Sequence, residues 1–165
     1  MANFSFDAVS EYDKAEMNNV FDQTEREIES RYDFKGTPAV IEWLNSDKTG
    51  LKVTGSGEWQ IDTILEIVRK KLAARGQSQK ILDTSHEVVE SNLKATKEVP
   101  FKKGLDQEKA KKITALIRDK FPKVKSQIQG DAVRVMSNSK DDLQAVMQLL
   151  RASDFDFPVS FTNYR

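Results

Sequence analysis

Residues 124–151, VKSQIQGDAVRVMSNSKDDLQAVMQLLR, read as a β-hairpin running into a capped helix. In the first arm Val124, Ser126 and Ile128 alternate with Lys125, Gln127 and Gln129; in the second, Val133 and Val135 alternate with Arg134 and Met136. Gly130-Asp131 supplies the tight turn. Successive side chains of a strand point to opposite faces. Val124, Ile128, Val133 and Val135 are therefore predicted to share a core, and Lys125, Gln127, Gln129 and Arg134 to share the other face. A face of long donors and acceptors with so little apolar cover suits a polar, anionic partner, and it equally suits a sheet face that is merely wet. Ser139, three residues before Asp142, opens the helix as a capping box, and Leu143, Val146, Met147 and Leu150 form its inward stripe.

Working outward, the same succession of elements occurs twice. Residues 4–11 alternate well enough for a strand, and Asp13 caps a helix whose stripe is Met17, Val20, Phe21, Thr24 and Ile28. Gly36 and Pro38 stop its continuation. Residues 39–45 and 51–54 are strand-like around a turn at 46–50. Gly55-Ser56-Gly57 leads into a second helix with the stripe Ile61, Ile64, Leu65, Val68 and Leu72, and Gly76 lies just past its end. Ile81-Leu82-Asp83 is predicted as a short strand. The second succession runs through a strand at 94–101, with Pro100 at an edge or strand end. A helix over 106–120, the hairpin, the capped helix and a final strand at 159–164 complete it. Each half thus reads β-α-β-β-α-β. The fold class is α+β: two ferredoxin-like domains, each an antiparallel four-stranded sheet with two helices on one face. The expected domains are 1–90 and 91–165, joined through the polar residues 84–93, and no strong sequence repeat accompanies the shared order.

The whole chain carries 26 Lys and Arg against 26 Asp and Glu, yet its halves differ. Residues 1–93 hold 11 basic against 17 acidic side chains, and residues 94–165 hold 15 against 9. An anionic partner is therefore expected on the second, basic half, although the same asymmetry fits halves that attract each other or helix surfaces that are solvated. The excess is too mild for tight non-specific DNA binding. Cysteine is absent, so disulfides and cysteine-ligated metals are excluded. No apolar run approaches the ~20 residues that span a bilayer, and a signal peptide is not evident. A cytoplasmic protein with no membrane association is the expectation. The lone His86 sits in a polar segment without a nucleophile partner, no phosphate-binding Gly-rich loop ends in Lys, and no metal-ligand spacing occurs. No catalytic residue, cofactor or metal is expected, and the chain is read as a non-enzyme.

FDAVSE at 6–11, RYDFKG at 31–36, KLAARG at 71–76, IQGD at 128–131, Arg134-Val135, DDLQAV at 141–146 and the terminal Asn163-Tyr164-Arg165 together resemble the bacterial YajQ family. The likeness runs in order over nearly the whole chain. It implies two ferredoxin-like domains similar to ribonucleoprotein folds, with the first strands exchanged between them. It also implies nucleotide binding: cyclic di-GMP reception alongside a transcription factor for some members, RNA or GTP binding for others. The chain departs from the pattern at Ser137-Asn138-Ser139-Lys140, where relatives carry more basic character, at Phe121-Pro122, and at Trp59, where Phe is usual.

For a guanine-type nucleotide, Arg31, Lys35, Arg75, Lys125 and Arg134 are the candidates to hold phosphate. Gln127, Gln129, Asp141 and Asp142 could read base edges, and Tyr32, Phe34 and Tyr164 offer stacking surfaces. Each has a structural counterpart: Phe34 as a core plug, Asp141 and Asp142 as acids favoured at a helix N-terminus, Arg31 as the ion-pair partner of Asp33, and Lys109, Lys111 and Lys112 as a solvated helix face. The nucleotide-binding set carried forward is Arg31, Phe34, Lys35, Lys125, Gln127, Gln129, Arg134 and Asp142. The second hairpin arm, AVRVM, has none of the aromatics with which an RNA-binding sheet of this type stacks bases, and Trp43 shares a face with Ile41 and reads as core. The function predicted is a nucleotide effector acting on a protein partner. The alternatives are an RNA module that contacts backbone through the basic half, and an adaptor without a nucleotide.

Overall fold

The computed structural model describes residues 3–165. In chain order its elements are strand β1 (Phe4–Val9), helix α1 (Lys14–Ser30), β2 (Val40–Trp43), β3 (Gly50–Gly55), α2 (Glu58–Ala74), β4 (Val89–Ser91), β5 (Lys94–Pro100), α3 (Gln107–Lys120), β6 (Lys125–Gln129), β7 (Ala132–Ser137), α4 (Lys140–Ala152) and β8 (Ser160–Thr162). Short 3-10 turns occupy Tyr32–Phe34 and Gln79–Ile81. The strands form two four-stranded antiparallel sheets, ordered β6-β7-β1-β8 and β2-β3-β5-β4.

The chain divides into two compact units, and neither is a contiguous half. One joins the segment ending at Glu11 to Lys103–Arg165; the other is Tyr12–Lys102. The expected division at residue 90 is corrected by the pairing itself. β1 lies between β7 and β8, with Phe6 opposite Val135 and Ala8 opposite both Val133 and Phe161. β5 lies between β3 and β4. A cut at 90 would strip each sheet of an internal strand.

In the unit built around β1, the residues alternating on the helix-facing side of the sheet are Phe6, Ala8, Val133 and Val135, all 0% exposed. They pack with Ile113 and Ile117 of α3 and with Val146, Met147 and Leu150 of α4. The hairpin folds as its alternation requires. Gln129 pairs with Ala132, and Gly130 takes φ +61°, the positive value a type II′ turn needs at its first central position. Ser139 accepts the Asp142 N–H at 3.2 Å, while its own N–H donates to Ser137 Oγ at 3.1 Å. The cap is therefore shared with β7 rather than closed as a reciprocal box.

In the other unit the predicted stripes of α1 and α2 are the buried ones, and they cover Ile41, Leu51, Val53, Ala95 and Val99 of the sheet. Asp13 caps α1 through the Glu16 N–H at 3.1 Å. Gly76, at φ +72°, ends α2 in a Schellman motif: Gln77 N–H reaches Leu72 O at 2.8 Å and Gly76 N–H reaches Ala73 O at 3.1 Å. Two expectations fail here. Ile81-Leu82-Asp83 is not a strand: Ile81 ends a 3-10 turn, and Leu82 makes only an isolated bridge to Phe101. The polar stretch 84–93 is not merely a joint, because it contains β4, whose three residues are all exposed.

The β4–β5 hairpin turns on Asn92 (φ +51°) and Leu93 (φ +66°), with Leu93 96% exposed. A left-handed non-glycine residue costs ~1–2 kcal/mol, and Leu93 buries nothing that offsets it. Leu93→Gly is expected to raise stability by about 1 kcal/mol in a urea titration. An unchanged midpoint would show that the turn is not strained.

Candidate functional site

The open face of the β1 unit carries the predicted polar ladder. Register places Gln127 beside Arg134, Arg134 beside Asp7 and Asp7 beside Thr162; Lys125 lies beside Met136, and Met136 beside Ser5. Lys125, Gln127 and Gln129 are exposed, and no hydrogen bond or ion pair to another described residue engages their side chains. Arg134 differs. Its Nε donates to Asp7 Oδ1 at 3.0 Å and its Nη2 to Asp7 Oδ2 at 3.4 Å, and Asn163 Nδ2 donates to Asp7 Oδ2 at 2.8 Å. Asn163 reaches in because its positive φ of +56° ends β8, after which Arg165 pairs with the Ser5 backbone at 3.0 and 3.2 Å. Asp7 is 6% exposed. The Arg134 hydrogen bond, reinforced by Asn163 and the charges of Arg134 and Arg165, holds its carboxyl below the usual carboxylate range against the opposing effect of burial. Asp7 was not among the sequence candidates, because its partner stands 127 positions away.

The other candidates lie elsewhere. Asp142 is on α4, in the helical layer behind the sheet, with its N–H given to Ser139. In the second unit, Arg31 meets Asp33 through two 3.0 Å hydrogen bonds, approaches Glu27 at 3.6 Å, and covers the Phe34 ring at 5.0 Å. Phe34 is 4% exposed and belongs to the core, and Lys35 is exposed. Arg75 is tied to Glu16 at 2.6 and 3.2 Å. Trp43 stacks on Phe21 at 4.4 Å and is core, as its strand face required. His86, read as part of a linker, lines a hollow of about 560 Å³ on the open face of the second sheet with Lys52, Glu87, Thr96 and Glu98. The structure thus gathers Lys125, Gln127, Gln129 and Arg134, and places Asp142 on another layer and Arg31, Phe34 and Lys35 in another unit.

The charge argument also changes with the true boundaries. Counted by unit, the β1 unit carries 12 Lys and Arg against 10 Asp and Glu, and the second unit 14 against 16. The basic half of the sequence is not a basic body. No cluster of three or more metal-ligating acids and histidines occurs among the described residues, and none of their helices is long and apolar enough to cross a membrane.

A four-stranded antiparallel sheet, helical on one side and presenting Lys and Gln side chains on the other, is a ferredoxin-like architecture. The chain belongs to the family described as nucleotide-binding protein YajQ-like, which it matches over residues 4–165. It is 47% identical over 161 residues to a nucleotide-binding protein of Trichodesmium erythraeum, covering 98% of this chain and 97% of the relative. It is 46% identical over 166 residues to one from a Nocardioides species, covering 100% of both. A third, from Marinomonas, is 45% identical over 161 residues, with 98% of each chain covered. The family is named for what it binds rather than for a reaction.

Proposed function

We propose that the chain is a non-enzymatic, cytoplasmic nucleotide-binding protein whose ligand is a guanine nucleotide, cyclic di-GMP foremost. Binding would alter the surface offered to a protein partner such as a transcription factor. The observation that carries the reading is the set Lys125, Gln127 and Gln129: three extended polar side chains on one strand, exposed and unengaged among the described residues. They supply an ammonium for phosphate and amides for base edges. Arg134 is proposed as a reserve cation that must leave Asp7 to reach a phosphate. Asp142 is proposed as an acid favoured in the first turn of α4, Arg31 and Phe34 as structural, and Lys35 as a further exposed cation.

RNA is the weaker reading. Among the described residues, the strands of the β1 sheet present no aromatic side chain on its open face, whereas stacking contributes ~1–3 kcal/mol per base in single-strand binders. A unit with 12 cations and 10 anions also has little net charge to release counterions. Titration calorimetry against cyclic di-GMP, GTP and a short RNA tests the choice. Cyclic di-GMP is expected to bind with a dissociation constant well below ~1 mM, which corresponds to about −4 kcal/mol. The double change Lys125→Ala and Gln127→Ala should weaken it more than tenfold. Steep salt dependence with RNA alone would favour the RNA reading, and no heat with any of the three would leave an adaptor.

A further inference from the structure

The helix side of the β1 unit holds a cleft of about 230 Å³ that the sheet-face reading does not use. Its floor is apolar: Leu143 and Met147, one helical turn apart on the inward face of α4, are 5% and 2% exposed. Two aromatic rings bound it. Phe4 stands at the start of β1, and Tyr164 follows β8, where the left-handed Asn163 turns the chain back alongside Ser5. Tyr164 is 58% exposed, unusually open for so large a ring, and its hydroxyl is steadied on Met147 Sδ at 3.6 Å. The rim carries a cation and an amide, Lys140 and Gln144, and is closed at one end by the paired backbones of Ser5 and Arg165. The Lys140 ammonium rests 5.1 Å from the Phe4 ring centre, so it already stands at the mouth.

Apolar floor, aromatic walls, an amide and a cation are the complement of a flat heterocycle joined to an anion. We propose that this cleft is a second ligand site, taking the base of a purine mononucleotide between Phe4 and Tyr164, with Lys140 meeting its phosphate. The proposal borrows from the nucleotide reading only the class of ligand. Pockets that bury a drug-sized molecule measure roughly 300–1,000 Å³, so this one accepts a single base and leaves sugar and phosphate at the rim. Stacking on a ring suits every base, and the Gln144 amide, able to donate and to accept, gives the edge contact.

Methionine methyl groups report on the two sites separately. Met147 lines the cleft, Met136 lies on the open face beside Lys125, and Met17 is buried in the second unit. The full chain, labelled with carbon-13 in its methionine methyls and assigned through Met136→Leu and Met147→Leu, would be titrated with guanosine monophosphate and then with cyclic di-GMP. Met147 is expected to shift on adding the monophosphate while Met17 stays fixed. Tyr164→Ala, a change at an exposed ring, should weaken that response at least tenfold. A silent Met147 with a moving Met136 overturns the cleft and leaves the sheet-face reading standing. If every methyl stays still with both nucleotides, both proposals fall.

Discussion

Phe6→Ala is expected to cost the β1 unit about 3–5 kcal/mol, the range for removing a large aromatic from a close-packed interior. Phe6 is 0% exposed in an internal strand, opposite Val135, and its ring meets Phe161 edge-on at 5.3 Å and Tyr164 at 6.4 Å. Its neighbours on the sheet, Ala8, Val133 and Val135, are short and fixed on rigid strands and cannot fill the space. The same change also weakens the reason for β1 to insert between β7 and β8. Loss of β1 would turn two internal strand edges into unpaired ones. Urea unfolding followed by far-UV circular dichroism measures the effect as a lowered midpoint. A loss below about 1 kcal/mol would mean that β1 is held by backbone pairing rather than by its aromatic anchor.

Phe6 also shows what could be read from the chain and what could not. The alternation of Phe4, Phe6 and Ala8 announced a strand with one buried face, but it is equally satisfied by any apolar layer of the right width. Pairing β1 with strands more than 120 positions away was not legible from period alone; only the family resemblance pointed there. The helices were legible because a 3.6-residue stripe fixes both type and inward face, and Met17, Val20, Phe21, Thr24 and Ile28 are the residues buried on α1. β4 was not legible because Val89, Glu90 and Ser91 are all exposed and carry no alternation. At the candidate site, Lys125, Gln127 and Gln129 followed from strand geometry. The capture of Arg134 by Asp7 did not, since an ion pair across a sheet leaves no local mark. The acidic and basic halves were real in the sequence but did not survive folding, because the chain's first segment and residues 94–102 change sides.

Asp7→Ala is expected to destabilise the protein by about 1.5–3 kcal/mol at neutral pH, the range for hydrogen bonds to a charged group. Its carboxylate is nearly buried and collects three donated hydrogen bonds, so removal strands the Arg134 guanidinium and the Asn163 amide together. The value stays below that of a fully buried ion pair because the Arg134 side chain remains 31% exposed and water can reach it. The dependence on pH follows from the lowered pKa of Asp7, caused first by the Arg134 hydrogen bond. Between the unfolded value, about 3.9, and the lower folded one, the unfolded chain binds the extra proton. The stabilisation from Asp7 is therefore complete above pH ~4 to 5 and drains away as pH falls through the folded value. Urea midpoints for the wild type and Asp7→Ala should differ widely at pH 7 and draw together as the pH falls below about 4. Other depressed carboxylates, including Glu16 and Glu27, destabilise both proteins on acidification, so only the gap between them reports Asp7. A gap that does not narrow with acid would mean that the carboxylate's charge contributes nothing to the strand's position. The same variant bears on binding. With Asp7 gone, Arg134 offers its fork to the open face beside Gln127, so the proposed site should hold phosphate more tightly as the fold weakens. Stability and ligand affinity would then draw on one guanidinium in opposite directions.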